Sequence, residues 1–344
     1  MHPPKSPIME QDITLSLRDA EALSLRILGN AGFSDAHAGA ITRSVIAAQR
    51  DECHSHGLYR LISCVETARK GGVDTQAEPE IIDQAPGIVR IDAHRGNSLL
   101  SFERGKSPLK EKAERNGIAA LAINNCFHFS ALWPEVEALA EMGLVGLAMN
   151  PTHAFVAPTG GNRPLLGTNP IAFSWPRPGK HPYTFDFATS VVARGEIELH
   201  KRAGDSIPEG WALDDQGNAT TDPTAALEGA MLPFGGHKGS ALSTMIELLA
   251  GPLIGDVLSH ETQPANDEGT GKPYHGEIII ALSPATFLGE RADTHLAHAE
   301  VLFERILDQG ARLPSQRRYE ARERSRVNGV KIPVALYEEL QKLA

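Results

Sequence analysis

Apolar and polar positions follow two rhythms along this chain, and the rhythm changes near residue 72. Before it, Leu23, Ile27 and Leu28 recur at helical spacing behind a capping pattern, Ser16-x-x-Asp19, which predicts a helix closed by Gly29 to Gly32. Ile41, Val45 and Ile46 mark a second helix capped by Ser34, and "RLISCVETARKGG" reads as a third, stopped by its glycine pair. Beyond that point, "EIIDQAPGIVRIDAHRG" alternates as strands around a Pro-Gly turn. "LKEKAERNG" ends a helix, "IAALAIN" is a short apolar strand, and helix "PEVEALAEMG" and strand "LVGLAMN" follow. Residues 151–182 are thick with Gly and Pro. "TFDFATS" reads as a strand, "VVARGEIELHKRAG" as a helix, and "IPEGWALDDQGNATTDPTAALEGA" as loop-rich. A glycine-rich turn at "GGHKGS" feeds an apolar helix. "EIIIALSP" shows little alternation, which predicts a strand buried on both faces. From about Thr294 the tail is helical and charged. Strands alternating with helices predict an α/β or α+β class.

Bulk properties narrow the function. A chain of 344 residues is long for one core, so two or three packed subdomains are expected. The net charge of −10, with no basic stripe interleaved with aromatics, argues against nucleic acid as a partner. "MHPPKSPIMEQD" lacks the apolar stretch of a secretory signal, and "LSTMIELLAGPLIGDVL" is broken by Glu247 and Pro252, so no membrane span and a cytoplasmic location are expected. Cys53, Cys64 and Cys126 are odd in number without CxxC spacing, which suits free thiols in a reducing compartment.

GxGxxG, HExxH and GxSxG are absent, and "GGHKGS" lacks the spacer of a phosphate-binding P-loop. The densest chemistry lies in "RDECHSHGLYR", residues 50–60. Cys53-His54-x-His56 offers soft metal ligands, yet no second cluster follows at zinc-site spacing, so no metal is expected. His54 also suits a helix C-terminus, where imidazoles complement the dipole. His56 and Arg60, four residues apart, pair a titratable proton donor with a carboxylate fork. Asn124-Asn125-x-x-His128-Phe129-Ser130 follows a strand, a position that suits a ligand or a capping turn. Gly235 to Ser240 could receive an anion at a helix N-terminus or form a tight turn. Arg312, Arg317 and Arg318 fit a solvated tail or a phosphate site. These residues by themselves describe a cytosolic enzyme with anionic ligand sites.

Seven segments in order, "RDECHSHGLYR", "NNCFHFSALWPEVE", "LLGTNPIAF", "FDFATSVVARGEIE", "IPEGWALDDQGNATTDP", "LPFGGHKGSALS" and "ARLPSQRRY", resemble the malate/L-lactate dehydrogenase-2 family of NAD(P)H-dependent oxidoreductases. The resemblance covers nearly the whole chain. It implies a non-Rossmann α/β (α+β) fold, consistent with the missing GxGxxG. The expected parts are a largely antiparallel cofactor-binding sheet, a helical domain formed by both chain ends, and a homodimer. The corresponding division is 12–66 plus 295–344 for the helical domain, 67–132 for a substrate-side or interface domain, and 133–294 for the NADPH-binding domain.

Two departures mark a branch. The hydroxyacid dehydrogenases of the family read His-Phe-Gly with a following Gly-Tyr-Tyr where this chain has "HFSALWPEVE", and they carry lysine where it has Glu196. Both departures resemble the branch that reduces Δ1-piperideine-2-carboxylate and Δ1-pyrroline-2-carboxylate to L-pipecolate and L-proline with NADPH, NADH being weaker. That branch usually has His-Gly-Asp where this chain has Arg194-Gly195-Glu196, so the charge type is kept and the side-chain length is not. The alternative within the family is a dehydrogenase of malate, lactate or ureidoglycolate. From another class, the competing reading is a metal-dependent hydrolase built on Cys53, His54 and His56.

By motif, the resemblance implies that His56 donates the proton, with Ser55 and Glu196 as relay partners, and that Arg60 and Thr168 hold a cyclic imino acid. It assigns to the cofactor His128, Phe129, Ser130, Ala131 and Leu132, then Asp186, Phe187 and Ala188, then His237 and Lys238. Arg312, Leu313, Pro314, Ser315, Gln316, Arg317 and Arg318 complete that set. A carboxylate at 196 is expected to favour the protonated His56 imidazole.

Overall fold

The non-alternating strand near residue 278 turns out to be the axis of the molecule. The computed structural model describes residues 12–263 and 273–344. In chain order its first elements are β1 (Asp12–Leu15), α1 (Leu17–Asn30), α2 (Asp35–Arg50), α3 (Arg60–Arg69), β2 (Glu80–Ala85), β3 (Ile88–Asp92), α4 (Ser98–Asn116) and β4 (Ile118–Cys126). Next come α5 (Trp133–Glu141), β5 (Val145–Met149), β6 (Ile171–Trp175), β7 (Tyr183–Phe187), α6 (Arg194–Ala203), β8 (Ala212–Leu213), β9 (Ala219–Thr220), α7 (Pro223–Glu228) and β10 (Ala230–Met231). The rest are α8 (His237–Ala250), β11 (His275–Leu282), α9 (Pro284–Leu288), α10 (Ala292–Leu307), α11 (Gln316–Asn328), β12 (Val330–Pro333) and α12 (Val334–Leu343).

Seven strands form one sheet in the order β2-β3-β4-β11-β5-β6-β7, antiparallel everywhere except between β3 and β4. β11 lies at its centre with both faces covered. Ile279 packs with Leu121, Val136 and Leu139 beneath α4 and α5, while its neighbour Ile278 packs with Met149, Ile246 and Ile254 beneath α8. Alternate side chains of a strand point to opposite faces, so a strand buried twice has no polar face to show. Residues on both sides of the expected boundary at 132/133 share this sheet, since β4 pairs with β11 and β11 with β5. The expected segments 67–132 and 133–294 thus contribute strands to one continuous sheet.

Both chain ends meet in a helical layer. Ser16 and Ser34 cap α1 and α2 by accepting from the Asp19 and His37 amides. Leu23, Ile27, Ile41 and Leu61 bury against Val330, Ile332 and Leu340, and β1 pairs antiparallel with β12. The Gly- and Pro-rich stretch contains an element that periodicity does not show. β6 is five residues between Pro170 and Pro176, too short for a pattern and secured by its neighbours β5 and β7. No helix among the described residues is long and apolar enough to cross a membrane.

Candidate active site

The segment that follows α2 is shaped by one amide side chain. Gln49 Oε1 accepts from the Leu58 N–H at 3.1 Å, while its Nε2 donates to the Lys331 carbonyl at 3.2 Å and bonds His54 Nδ1 at 3.1 Å. Gly57 is required beneath it, because a Cβ there would lie 2.2 Å from Gln49 Oε1. The chain between them forms a 3-10 turn over His54–His56. Half-buried His56 bonds Ser55 Oγ through Nδ1 at 3.1 Å, so its other ring nitrogen is left for the cleft. Cys53, His54 and His56 are not among the side chains that converge as potential metal ligands in the described residues.

Arg60, the first residue of α3, stacks over the Phe129 ring with 4.4 Å to the centroid. Its Nε is buried without a partner, and no carboxylate among the described residues pairs with it. Burial, then the Arg60 charge, lowers His56 to about 4, so the imidazole is neutral near pH 7. Glu196 lies in the exposed first turn of α6, lines the same cleft, and makes no hydrogen bond to His56. Arg60 rather than Glu196 sets the local charge at His56.

The opposite wall descends from β4. His128 to Leu132 lead into α5, and the two amides opening that helix, Leu132 and Trp133, donate to Asp186 Oδ2 at 2.8 and 3.0 Å. Burial raises Asp186 to about 6 against these two bonds. Asp186 therefore fixes the His128–Leu132 loop from β7, while Phe187 and Ala188 line the cleft beside it.

Thr168 closes the cleft. Its N–H donates to Thr152 Oγ1 at 2.9 Å, and its carbonyl accepts from the Thr189 N–H at 2.8 Å. The next residue, Asn169, is buried at φ 33° and donates to Glu247 Oε1 at 2.7 Å and Ser243 Oγ at 2.9 Å. Glu247 also accepts from the Ser259 N–H at 2.9 Å, so a buried carboxylate on α8 fixes the Thr168 turn. Sequence reasoning omits Thr152, His153, Asn169 and His275 from the cleft and its support, and treats Glu247 only as the break in an apolar run. A lone acid inside such a run is itself a sign of a buried polar task.

The C-terminal arginines divide. Arg312 and Arg317 are exposed at the cleft rim and make no ion pair among the described residues. Arg318 is buried over the Trp133 ring at 3.8 Å, bonded to Asp51 Oδ2 at 3.1 Å, Glu137 Oε2 at 3.1 Å and Ser315 Oγ at 2.7 Å. Arg322 completes the network on the same two acids. Arg318 thus lines the cleft with most of its guanidinium engaged by Asp51, Glu137 and Ser315, unlike Arg312 and Arg317. His237 and Lys238 open α8 as exposed side chains outside the cleft lining, so this chain alone does not bring them to the site.

All the predicted residues except His237 and Lys238 line one cleft of about 1890 Å³. Pockets for small ligands run to roughly 1,000 Å³, so this one accommodates a dinucleotide together with a small acid. Its chemistry agrees. An unpaired, half-buried fork stands at one end and two free arginines at the other, joined by a wall rich in aromatic and apolar side chains.

Comparison with known proteins gives one answer. The malate/L-lactate dehydrogenase family profile matches residues 15–341. The chain is 59% identical over 332 residues to Δ1-pyrroline-2-carboxylate reductase 2 of Burkholderia multivorans, covering 96% of this chain and 97% of the relative. It is 57% identical over 331 residues to the Δ1-pyrroline-2-carboxylate/Δ1-piperideine-2-carboxylate reductase of Pseudomonas aeruginosa, covering 96% and 99%. The crystal structure of Δ1-piperideine-2-carboxylate reductase from Pseudomonas syringae superposes with a TM-score of 0.92 at 40% identity, covering 96% of this chain and all of the other.

Proposed function

The chain belongs to the malate/L-lactate dehydrogenase family of oxidoreductases, and on that premise we propose that it reduces cyclic imino acids with a nicotinamide cofactor, preferring NADPH to NADH. The substrates are Δ1-pyrroline-2-carboxylate and Δ1-piperideine-2-carboxylate, and the products L-proline and L-pipecolate. One observation carries the reading: Arg60 offers the cleft a planar cation with a buried, unpartnered Nε, one turn from a half-buried histidine. A fork of this kind binds a carboxylate in two parallel bonds and fixes the ring that bears it.

A bound nicotinamide would supply the hydride. Arg60 and Thr168 orient the substrate, and Phe129 and Leu132 keep water from the reacting face. His56 carries a proton at the ring nitrogen opposite Ser55. After burial, the Arg60 charge is what holds that imidazole neutral. A substrate carboxylate on Arg60 cancels this charge, so binding itself favours the protonated acid. His128 to Leu132 and the Leu313–Gln316 loop would hold the cofactor, with Arg312 and Arg317 on its 2′-phosphate. Asp186 acts by fixing the loop.

A homodimer is supported by an exposed apolar surface. Ile82 sits opposite Arg90 in the β2–β3 pair, Arg90 donates to the Ile254 carbonyl at 2.6 Å, and Leu253 and Val257 are exposed beside it. Three free thiols, two of them buried, support a cytoplasmic setting. The test of function is NADPH oxidation with both imines, pyruvate and oxaloacetate as substrates. Cyclic imines should be turned over fastest; faster reduction of the keto acids would refute the reading.

A further inference from the structure

His153 lines the cleft and takes no part in the steps above. Its half-buried ring meets Phe155 edge to face, with 6.0 Å between centroids, and its Nδ1 lies 2.7 Å from Thr262 Oγ1. The next bond decides which of these two atoms donates. Thr262 Oγ1 lies 2.7 Å from the Ser259 carbonyl oxygen, which can only accept. A hydroxyl has a single hydrogen, so Thr262 gives it to Ser259 and accepts from His153 Nδ1–H. Ser259 is itself anchored, since its N–H donates to Glu247 at 2.9 Å and both residues are buried. The carboxylate that fixes the Thr168 turn therefore fixes the His153 tautomer as well.

Burial, then proximity to His275, lowers His153 to about 4, so the ring is neutral near pH 7. A neutral imidazole with its hydrogen on Nδ1 has a lone pair and no hydrogen at Nε2. With Nδ1 engaged, Nε2 is the ring nitrogen left for the cleft, and it can only accept. Three residues earlier, Asn150 lines the same cleft and is 0% exposed. Its Nδ2 donates to the Pro151 carbonyl at 2.8 Å, while its Oδ1 is buried without a donor. This wall is short of hydrogen-bond donors, and leaving a buried acceptor unmatched is costly. A bound molecule has to bring them.

The contents of the cleft narrow the choice. A substrate carboxylate only accepts, and an imine nitrogen has no hydrogen until the acid supplies one. Thr152 Oγ1 lies 3.2 Å from Thr168 Oγ1, so His153, the next residue, stands at the substrate end of the cleft, away from Arg312 and Arg317. To that end a nicotinamide cofactor brings the NH2 of its carboxamide and the hydroxyls of one ribose. The amide, with two N–H groups, is the better match to a wall with two acceptors. We propose that His153 Nε2 accepts an N–H of the nicotinamide carboxamide and so holds the ring by its amide edge. This rests on the nicotinamide part of the reading above. A ring turned over about its ribose bond would offer substrate the other face, and an acceptor on one edge disfavours the turned form. His153 orients the cofactor and moves no proton.

The test compares NADPH with its reduced 3-acetylpyridine analogue, in which a methyl ketone replaces the amide and removes both N–H groups. Dissociation constants come from calorimetric titration without substrate. His153→Asn has a shorter amide that can still donate to Thr262 but places nothing at the Nε2 position. It should weaken NADPH about three- to tenfold, the worth of one neutral hydrogen bond, and leave the analogue within about twofold. His153→Phe keeps the ring that meets Phe155, lacks both nitrogens, and should give the same pattern should His153→Asn not fold. An equal loss of both cofactors overturns the proposal, because the ring would then touch a part that they share. Unchanged NADPH affinity in either folded variant overturns it too. A wild type that binds neither cofactor refutes the nicotinamide reading itself. A wild type that reduces no cyclic imine, with NADPH alone weakened in the variants, refutes only the substrate assignment and leaves the His153 contact standing.

Discussion

Arg318 and Arg317 are adjacent in sequence, and replacing them should have opposite consequences. Arg318→Ala removes a guanidinium from between Asp51 and Glu137, which are 2% and 4% exposed. Burial works against the charge on Asp51, yet bonds from Arg322 and Arg50 hold its carboxyl below the ordinary value, so it stays ionised and in need of partners. Stripping one partner from a buried ion network costs about 3–5 kcal/mol. Arg322 still reaches both acids, which places the loss near the lower end, and the lost stacking on Trp133 adds about 1 kcal/mol. The expected total is roughly 3–4 kcal/mol. With an unfolding entropy near 2.1 cal/mol/K per residue, that lowers Tm by about 4–6 °C for a chain of this length. NADPH affinity in the surviving folded fraction should barely move. Arg317→Ala should do the reverse, leaving Tm unchanged and weakening NADPH by about 1–3 kcal/mol while sparing NADH. Differential scanning calorimetry with cofactor titration reads both quantities. An Arg318→Ala protein of wild-type Tm that has lost NADPH affinity would falsify this division.

Three further outcomes follow from the site. Arg60→Lys keeps the charge but loses the fork, so KM for the imine should rise more than kcat falls; an unchanged KM would move the carboxylate site to the Thr168 turn. His56 has a folded pKa lowered to about 4, so its contribution is fully present above the free value near 6.5 and is lost as pH falls through 4. Urea midpoints should therefore favour wild type over His56→Gln less at pH 4 than at pH 7, and a difference independent of pH would sink the assignment. Gly57→Ala should displace Gln49 and with it the 3-10 turn, cutting kcat/KM more than tenfold in steady-state assays. A variant of full activity would show that the turn tolerates the methyl group.

Much of the fold is legible where local pattern and burial agree. The caps at Ser16 and Ser34 and the doubly buried β11 each leave a signature of their own. β6 leaves none, since its stability comes from two neighbours distant in sequence. In the site, motif order identifies the residues that gather in the cleft, but not the function each has capacity left to perform. "RLPSQRR" shows three equivalent arginines, and only the Asp51 and Glu137 carboxylates, contributed from the C-cap of α2 and from α5, reveal that Arg318 is engaged in a buried network. Glu196 illustrates the converse. Its charge type suggests a relay to His56, whereas the exposed first turn of α6 leaves it apart in this chain. Charge alone does not give the distance.

The Asp51–Arg318–Arg322 network also sets an order of events during synthesis. Asp51 lies 267 and 271 residues before its two arginines, and β1 waits longer still for β12. At roughly 5–20 residues per second, a ribosome takes on the order of tens of seconds to cover that distance. Throughout this interval β1 lacks its partner strand, and Arg50 is the one member of the network already present to pair with Asp51. The His54–His56 turn, hung from Gln49 and the Lys331 carbonyl, therefore acquires its shape among the last things the nascent chain does. A truncated product that stops before α11 would have every residue of the acid and its clamp, and no means of holding them in place.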